Sequence, residues 1–337
     1  VILSVLDQTP IAAGTTPARA LANSIDLARH CEALGYHRYW LAEHHASPAL
    51  AGSAPEILIA AVAAATRTMR IGSGGVMLPH YSPLKVAEQF SLLAGLYPGR
   101  IDLGLGRAPG SDQRTAVALQ QDRRQHAPNA FPQALAELIG YLEDSLPAGH
   151  PFAAYAATLP GLPHAPEPWV LGSSPDSAAF AGDLGLPYCF ADFINARAGD
   201  IAAAYRHRFV ARHAGDTPRV MVAVWTICAE SDAEAERLAA PARMMFAHLF
   251  ALGRSIAVPD VDSALAWLAA NPQFDVARAG RRVVAGSPET VRRGLAEAAG
   301  DYGADEVMLV NILHDHNARK ASYALAMQAM TGLARAA

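Results

Sequence analysis

Short apolar runs and longer stretches with helically spaced apolar residues take turns along the first third of the chain. Residues 2–6 form an apolar run that predicts a strand. Pro17–Leu34 carries helical spacing and stops at Gly35, a C-terminal cap residue. The cycle repeats with strands at 38–42, Arg70–Met77 and 101–105, and helices at 54–66 and Pro83–Leu96. This alternation predicts parallel strands joined by right-handed crossover helices, which leaves few topologies.

The pattern then loosens. Residues 111–146 read as largely helical but polar. Residues 147–168 hold six prolines and read as a long loop or short hairpin. Regularity returns with strands at 169–171, Tyr188–Ala191, Val220–Cys228 and Glu306–Val310. Helices are expected at 176–184, 200–213, 233–250, 288–299 and 319–333, and 253–282 looks irregular. Eight strands, each followed by a helix, predict an α/β fold: a closed (β/α)8 TIM barrel. It forms one domain over 1–337, with irregular insertions at about 111–168 after the fourth strand and 253–282 after the seventh.

Composition narrows the function classes. Apolar residues make up 52% and charged residues 17%, which suits a large buried core rather than disorder. The net charge is −4 and no basic stripe is present, so nucleic acid is not an expected partner. No apolar stretch is long enough to span a bilayer, so no membrane role is expected. Cys31, Cys189 and Cys228 are widely spaced and form no metal-like motif, which reads as reduced thiols in a cytoplasmic protein.

Barrel chemistry sits at the C-terminal strand ends. The second strand ends in Glu43-His44-His45. An imidazole there can exchange protons near neutral pH, can anchor a loop, or can hold a metal. Gly72-Ser73-Gly74-Gly75 follows the third strand and allows either close approach of a flat ligand or a rim bulge. Arg107 ends the fourth strand and fits either a phosphate or a rim salt bridge. Gly172-Ser173-Ser174-Pro175-Asp176-Ser177 opens a helix after the fifth strand. It reads as a phosphate cradle or an ordinary capped start. No Walker A loop, dinucleotide fingerprint or GxSxG elbow occurs.

These segments resemble the bacterial-luciferase-like flavin-dependent monooxygenases. The likeness runs through residues 39–45, 72–88, 99–107, 169–187, 282–289 and 303–307. It implies a barrel that binds reduced FMN at its mouth and reacts it with O2 through a C4a-hydroperoxyflavin to oxygenate a small organic substrate. A separate NAD(P)H:flavin reductase would supply the reduced flavin. His44 matches the family's acid/base histidine, and Glu43 beside it is expected to be catalytic with it. Gly74 and Gly75 match a cis peptide under the flavin ring. Arg107, Gly172, Ser173, Ser174 and Ser177 match the phosphate-binding positions. Relatives on the same fold use F420 for hydride transfer, or bind flavin without catalysis. The resemblance also implies a homodimer through the second and third helices. Substrate is expected at the loops near 8–16, 111–130 and 253–280. One position departs: Gly106 stands where luciferase has a cysteine, so the likeness does not extend to light emission.

Overall fold

A computed structural model describes residues 1–107, 113–119, 131–196, 198–274 and 282–332. The elements run β1 (Ile2–Asp7), α1 (Pro17–Leu34), β2 (Arg38–Leu41), α2 (Pro55–Ala65), β3 (Arg70–Met77), α3 (Pro83–Leu96) and β4 (Ile101–Gly106). Then follow α4 (Gln113–Leu119), α5 (Phe131–Leu142), β5 (Glu167–Gly172), α6 (Pro175–Asp183), β6 (Tyr188–Ala191), α7 (Gly199–Arg208) and β7 (Val220–Cys228). The chain ends with α8 (Asp232–Phe246), α9 (Val261–Ala270), β8 (Val283–Gly286), α10 (Pro288–Tyr302), β9 (Glu306–Val310) and α11 (His316–Thr331).

Eight strands close in the order β1 to β7 and then β9, which pairs with both β7 and β1. All pairings are parallel, so the expected (β/α)8 barrel is present. Three details differ from the sequence reading. β8 is an extra short strand that pairs along the C-terminal half of β7. Residues 261–270, expected to be irregular, form α9, started by the Asp260 side chain accepting from Ser263 N. Residues 153–158 form a 3-10 turn, where a loop or hairpin was expected. The polar centre of the expected 111–146 helix, residues 120–130, lies outside the described residues.

Apolar residues pack in two shells. One lies between the strands and the helices, with Leu27, Ile59, Phe90 and Leu295 fully buried. The other fills the barrel itself with Leu6, Trp40, Trp169, Met221, Trp225 and Met308. The N-terminal end of the barrel is closed by charge instead. Arg38 reaches Asp102 at 3.0 Å and Glu306 at 2.9 Å, and Trp40 Nε1 donates to Asp102 at 2.8 Å. That plug leaves the opposite, C-terminal end for chemistry. No described helix is long and apolar enough to cross a membrane.

Candidate active site

The first histidine after β2 is only partly exposed, and its Nδ1 is buried without a hydrogen-bond partner. The backbone N–H of His44 donates to Gly52 O at 2.7 Å, which pins the main chain but leaves the ring free. Burial, aided by the neighbouring His45 charge, pushes the His44 imidazole down to about 4. It is therefore neutral at pH 7.

That shift has a consequence for stability. In the unfolded chain an imidazole titrates near 6.5. Below that pH the unfolded chain takes up a proton that the folded chain refuses until about pH 4. The folded state thus loses stability as pH falls from 6.5 to 4, by up to roughly 3 kcal/mol. Urea midpoints across this window should drop less steeply in His44→Gln than in the wild type. Identical slopes would mean that the ring is not held neutral.

Glu43 is fully buried and bonds to the neighbour of His44 rather than to His44. It accepts from His45 Nε2 at 2.6 Å, Tyr81 OH at 2.8 Å and Met77 N at 2.9 Å. One strand further on, the Gly74–Gly75 peptide is cis, and the β3–β4 register shifts between Ser73 and Val76. A Cβ on Gly74 would meet Leu6 Cδ1 at 2.5 Å, and one on Gly75 would meet Gly104 O at 2.7 Å. Only glycine fits there, and the Gly74 backbone stays partly exposed at the rim.

Arg107 extends from the end of β4 and pairs with Asp176 at 3.2 Å. Asp176 lies in the first turn of α6, where a carboxylate is favoured by the helix dipole. Ser174 caps α6 by accepting from Ser177 N. Ser177 itself is buried, with its hydroxyl 2.6 Å from Tyr188 OH. Asn195 Nδ2 donates to Ser173 O at 2.9 Å. Gly172, Ser173 and Ser174 remain half-buried at the rim.

The site residues expected from the sequence thus lie at or just after the C-terminal ends of β2, β3, β4 and β5, which are consecutive in the sheet, with Ser177 in the first turn of α6. Reasoning from sequence missed Tyr81, Asp176, Tyr188 and Asn195. Tyr81 and Asp176 stood inside noted segments, but their pairing with Glu43 and Arg107 is a tertiary fact. Among the described residues, no group of three or more His, Cys, Asp or Glu is placed to hold a metal.

The model of the luciferase-like monooxygenase family matches residues 2–306. The chain belongs to that family. The luciferase-like monooxygenase of Escherichia coli K12 is 40% identical over 330 residues, covering 97% of this chain and 96% of the relative. The N-acetyl-S-alkylcysteine monooxygenase of Bacillus subtilis is 36% identical over 334 residues, covering 99% of each. The crystal structure of apo-MsnO8 aligns with a TM-score of 0.90 at 41% identity, covering 99% of this chain and all of that one. More distant folds include a 3,6-diketocamphane monooxygenase component from Pseudomonas putida with FMN, at TM-score 0.73 and 20% identity over 98% of each chain. An F420-dependent secondary alcohol dehydrogenase has a TM-score of 0.66 at 16% identity over 98% of each chain. As a luciferase-like monooxygenase the chain is an oxidoreductase.

Proposed function

We propose that this chain is the oxygenating half of a two-component monooxygenase. It takes reduced FMN from a separate NAD(P)H:flavin reductase and oxygenates a small organic substrate. The observation that supports this reading is the rim arc from β2 to β5. It carries a neutral imidazole with a buried unpartnered nitrogen, a glycine pair with no room for side chains, and a guanidinium beside a helix start. Those features fit a flat ring with an anionic tail.

Arg107, Gly172, Ser173 and Ser174 would hold the phosphate, with Ser177 bracing the α6 start through Tyr188. Gly74 and Gly75 would bear on the ring. Bound reduced FMN supplies the electrons that activate O2. His44, neutral at working pH, accepts or returns a proton at the rim. The loop after the π-helical turn 247–251 bridges to the β1 loop through Val258 N to Ile11 O at 2.8 Å. Exposed Ile57 on α2, with Leu92 and Leu96 on α3, supports a homodimer through those helices.

Arg107→Ala should weaken reduced FMN by about 10- to 100-fold, the worth of a lost charged hydrogen bond. Asp176→Asn should tighten it, because that carboxylate competes for the guanidinium. Anaerobic titration with reduced FMN and with reduced F420 tests the reading. It predicts saturable FMN binding that follows these two substitutions. Binding of F420 alone would move the protein to hydride transfer. Turnover assays should include N-acetyl-S-alkylcysteines, the compounds for which one relative is named.

A further inference from the structure

A carboxylate with no exposure stands next in sequence to His44 and touches its other neighbour instead. The three donors to Glu43 come from two adjacent strand ends. His45 follows β2, Met77 closes β3, and Tyr81 precedes α3. The carboxylate therefore ties the loop that carries His44 to the next strand.

Charge sharpens the picture. A carboxylate removed from water needs several donors or a positive partner. An ionised carboxylate only accepts, so the His45 nitrogen facing it carries a proton. Burial first, and the neighbouring His45 ring second, hold the His44 imidazole below its ordinary value. The other titratable groups near this pair are His80, Tyr81 and Glu56. The His80 ring meets His45 edge-on at 5.9 Å. Burial, then the Glu43 charge, pushes the Tyr81 phenol above its ordinary range, so it stays a donor. Glu56 is held above its ordinary value by burial and feels both Glu43 and His45.

We propose that Glu43, His45 and Tyr81 are positioning residues: they clamp the His44 loop to the end of β3 and hold the His45 ring beside His44. The inference rests on His44 as the group that handles protons in the proposed reaction. It assigns work to three side chains that need touch neither flavin nor substrate.

NMR titration of the His44 ring in the full chain, without cofactor, tests the clamp directly. His45→Gln keeps a donor for Glu43 and removes the neighbouring ring that helps to hold His44 down. The His44 midpoint should then rise by about half a pKa unit or more. The low-pH limb of the oxygenation profile should move the same way. Tyr81→Phe provides a milder arm that spares the apolar ring. It should lower kcat several-fold with an unchanged KM and leave the folded far-UV spectrum intact. An unmoved His44 midpoint in folded His45→Gln would overturn the clamp. So would wild-type kcat in Tyr81→Phe, should the first variant not fold. A fully active His44→Ala enzyme is a different failure, because it removes the catalytic role and leaves the titration result standing.

Discussion

Replacing His44 with alanine should lower oxygenated product by about 10²- to 10⁴-fold, the usual range for a lost general acid or base. Reduced FMN should still bind within a few-fold of the wild type, because the residues proposed to hold its phosphate lie two and three strands away, at the ends of β4 and β5. The separation arises from the site's construction. The His44 ring has no hydrogen bond from its buried Nδ1, so its removal leaves no protein partner unsatisfied. Its main chain is held by Gly52 O, and the neighbouring Glu43 is held by three other donors. The loop should therefore keep its shape. Single-turnover assays with reduced FMN and O2 check the loss. Activity within a few-fold of wild type would mean that protons are handled elsewhere.

Arg319→Met should be the most destabilising of the single substitutions considered. Arg319 NH2 donates to Asp7 Oδ1 at 2.8 Å, and both side chains are buried. Burial alone would raise the Asp7 carboxyl, but Arg319, with hydrogen bonds from Ser24 and Tyr39, holds it below the ordinary carboxylate range. Removing the guanidinium strands that charge and should cost about 3–5 kcal/mol. The loss extends to barrel closure. Arg319 Nε also donates to Asn311 O, and Asn311 Nδ2 reaches Thr226 O on β7. Ser322 on α11 accepts from Cys228 N and from Asn311 Nδ2. One polar network thus fastens α11 to β1, β7 and the end of β9. Urea denaturation checks the magnitude, and Asp7→Asn combined with Arg319→Met should recover part of the loss. The sign of the pH effect follows from the depressed Asp7 carboxyl. Its contribution is complete above its unfolded value of 3.8 and is lost as pH falls through the lower folded value. A loss under 1 kcal/mol for Arg319→Met would show that the pair is not a keystone.

The barrel was legible because each βα unit has its own local signal. β1 and β7 are runs with enough apolar length to stand out, and α1 carries Thr16 at its start and Gly35 at its end. β8 was not expected: Val283 at its start is exposed, so its sequence marks no core-facing strand. Its pairing depends on β7 projecting past the barrel, which no local pattern records. The candidate site was legible only as places, since polar and glycine residues end four consecutive strands. Its connections were not. The Glu43–Tyr81 bond joins residues 38 apart, and Arg107–Asp176 joins residues 69 apart. Sequence marks each residue as polar and leaves its partner to the fold. Ser177 shows the same limit. It lies in a phosphate-like motif, yet its hydroxyl serves Tyr188 in the interior.

The most direct measurement is a crystal structure of the protein soaked with FMN. The account predicts the phosphate within hydrogen-bond reach of Arg107 and the α6 start, with Asp176 displaced. It also predicts the ring against Gly74–Gly75 and the His44 imidazole at its edge. A flavin bound elsewhere, or a rim that stays closed by side chains at saturating FMN, would contradict it.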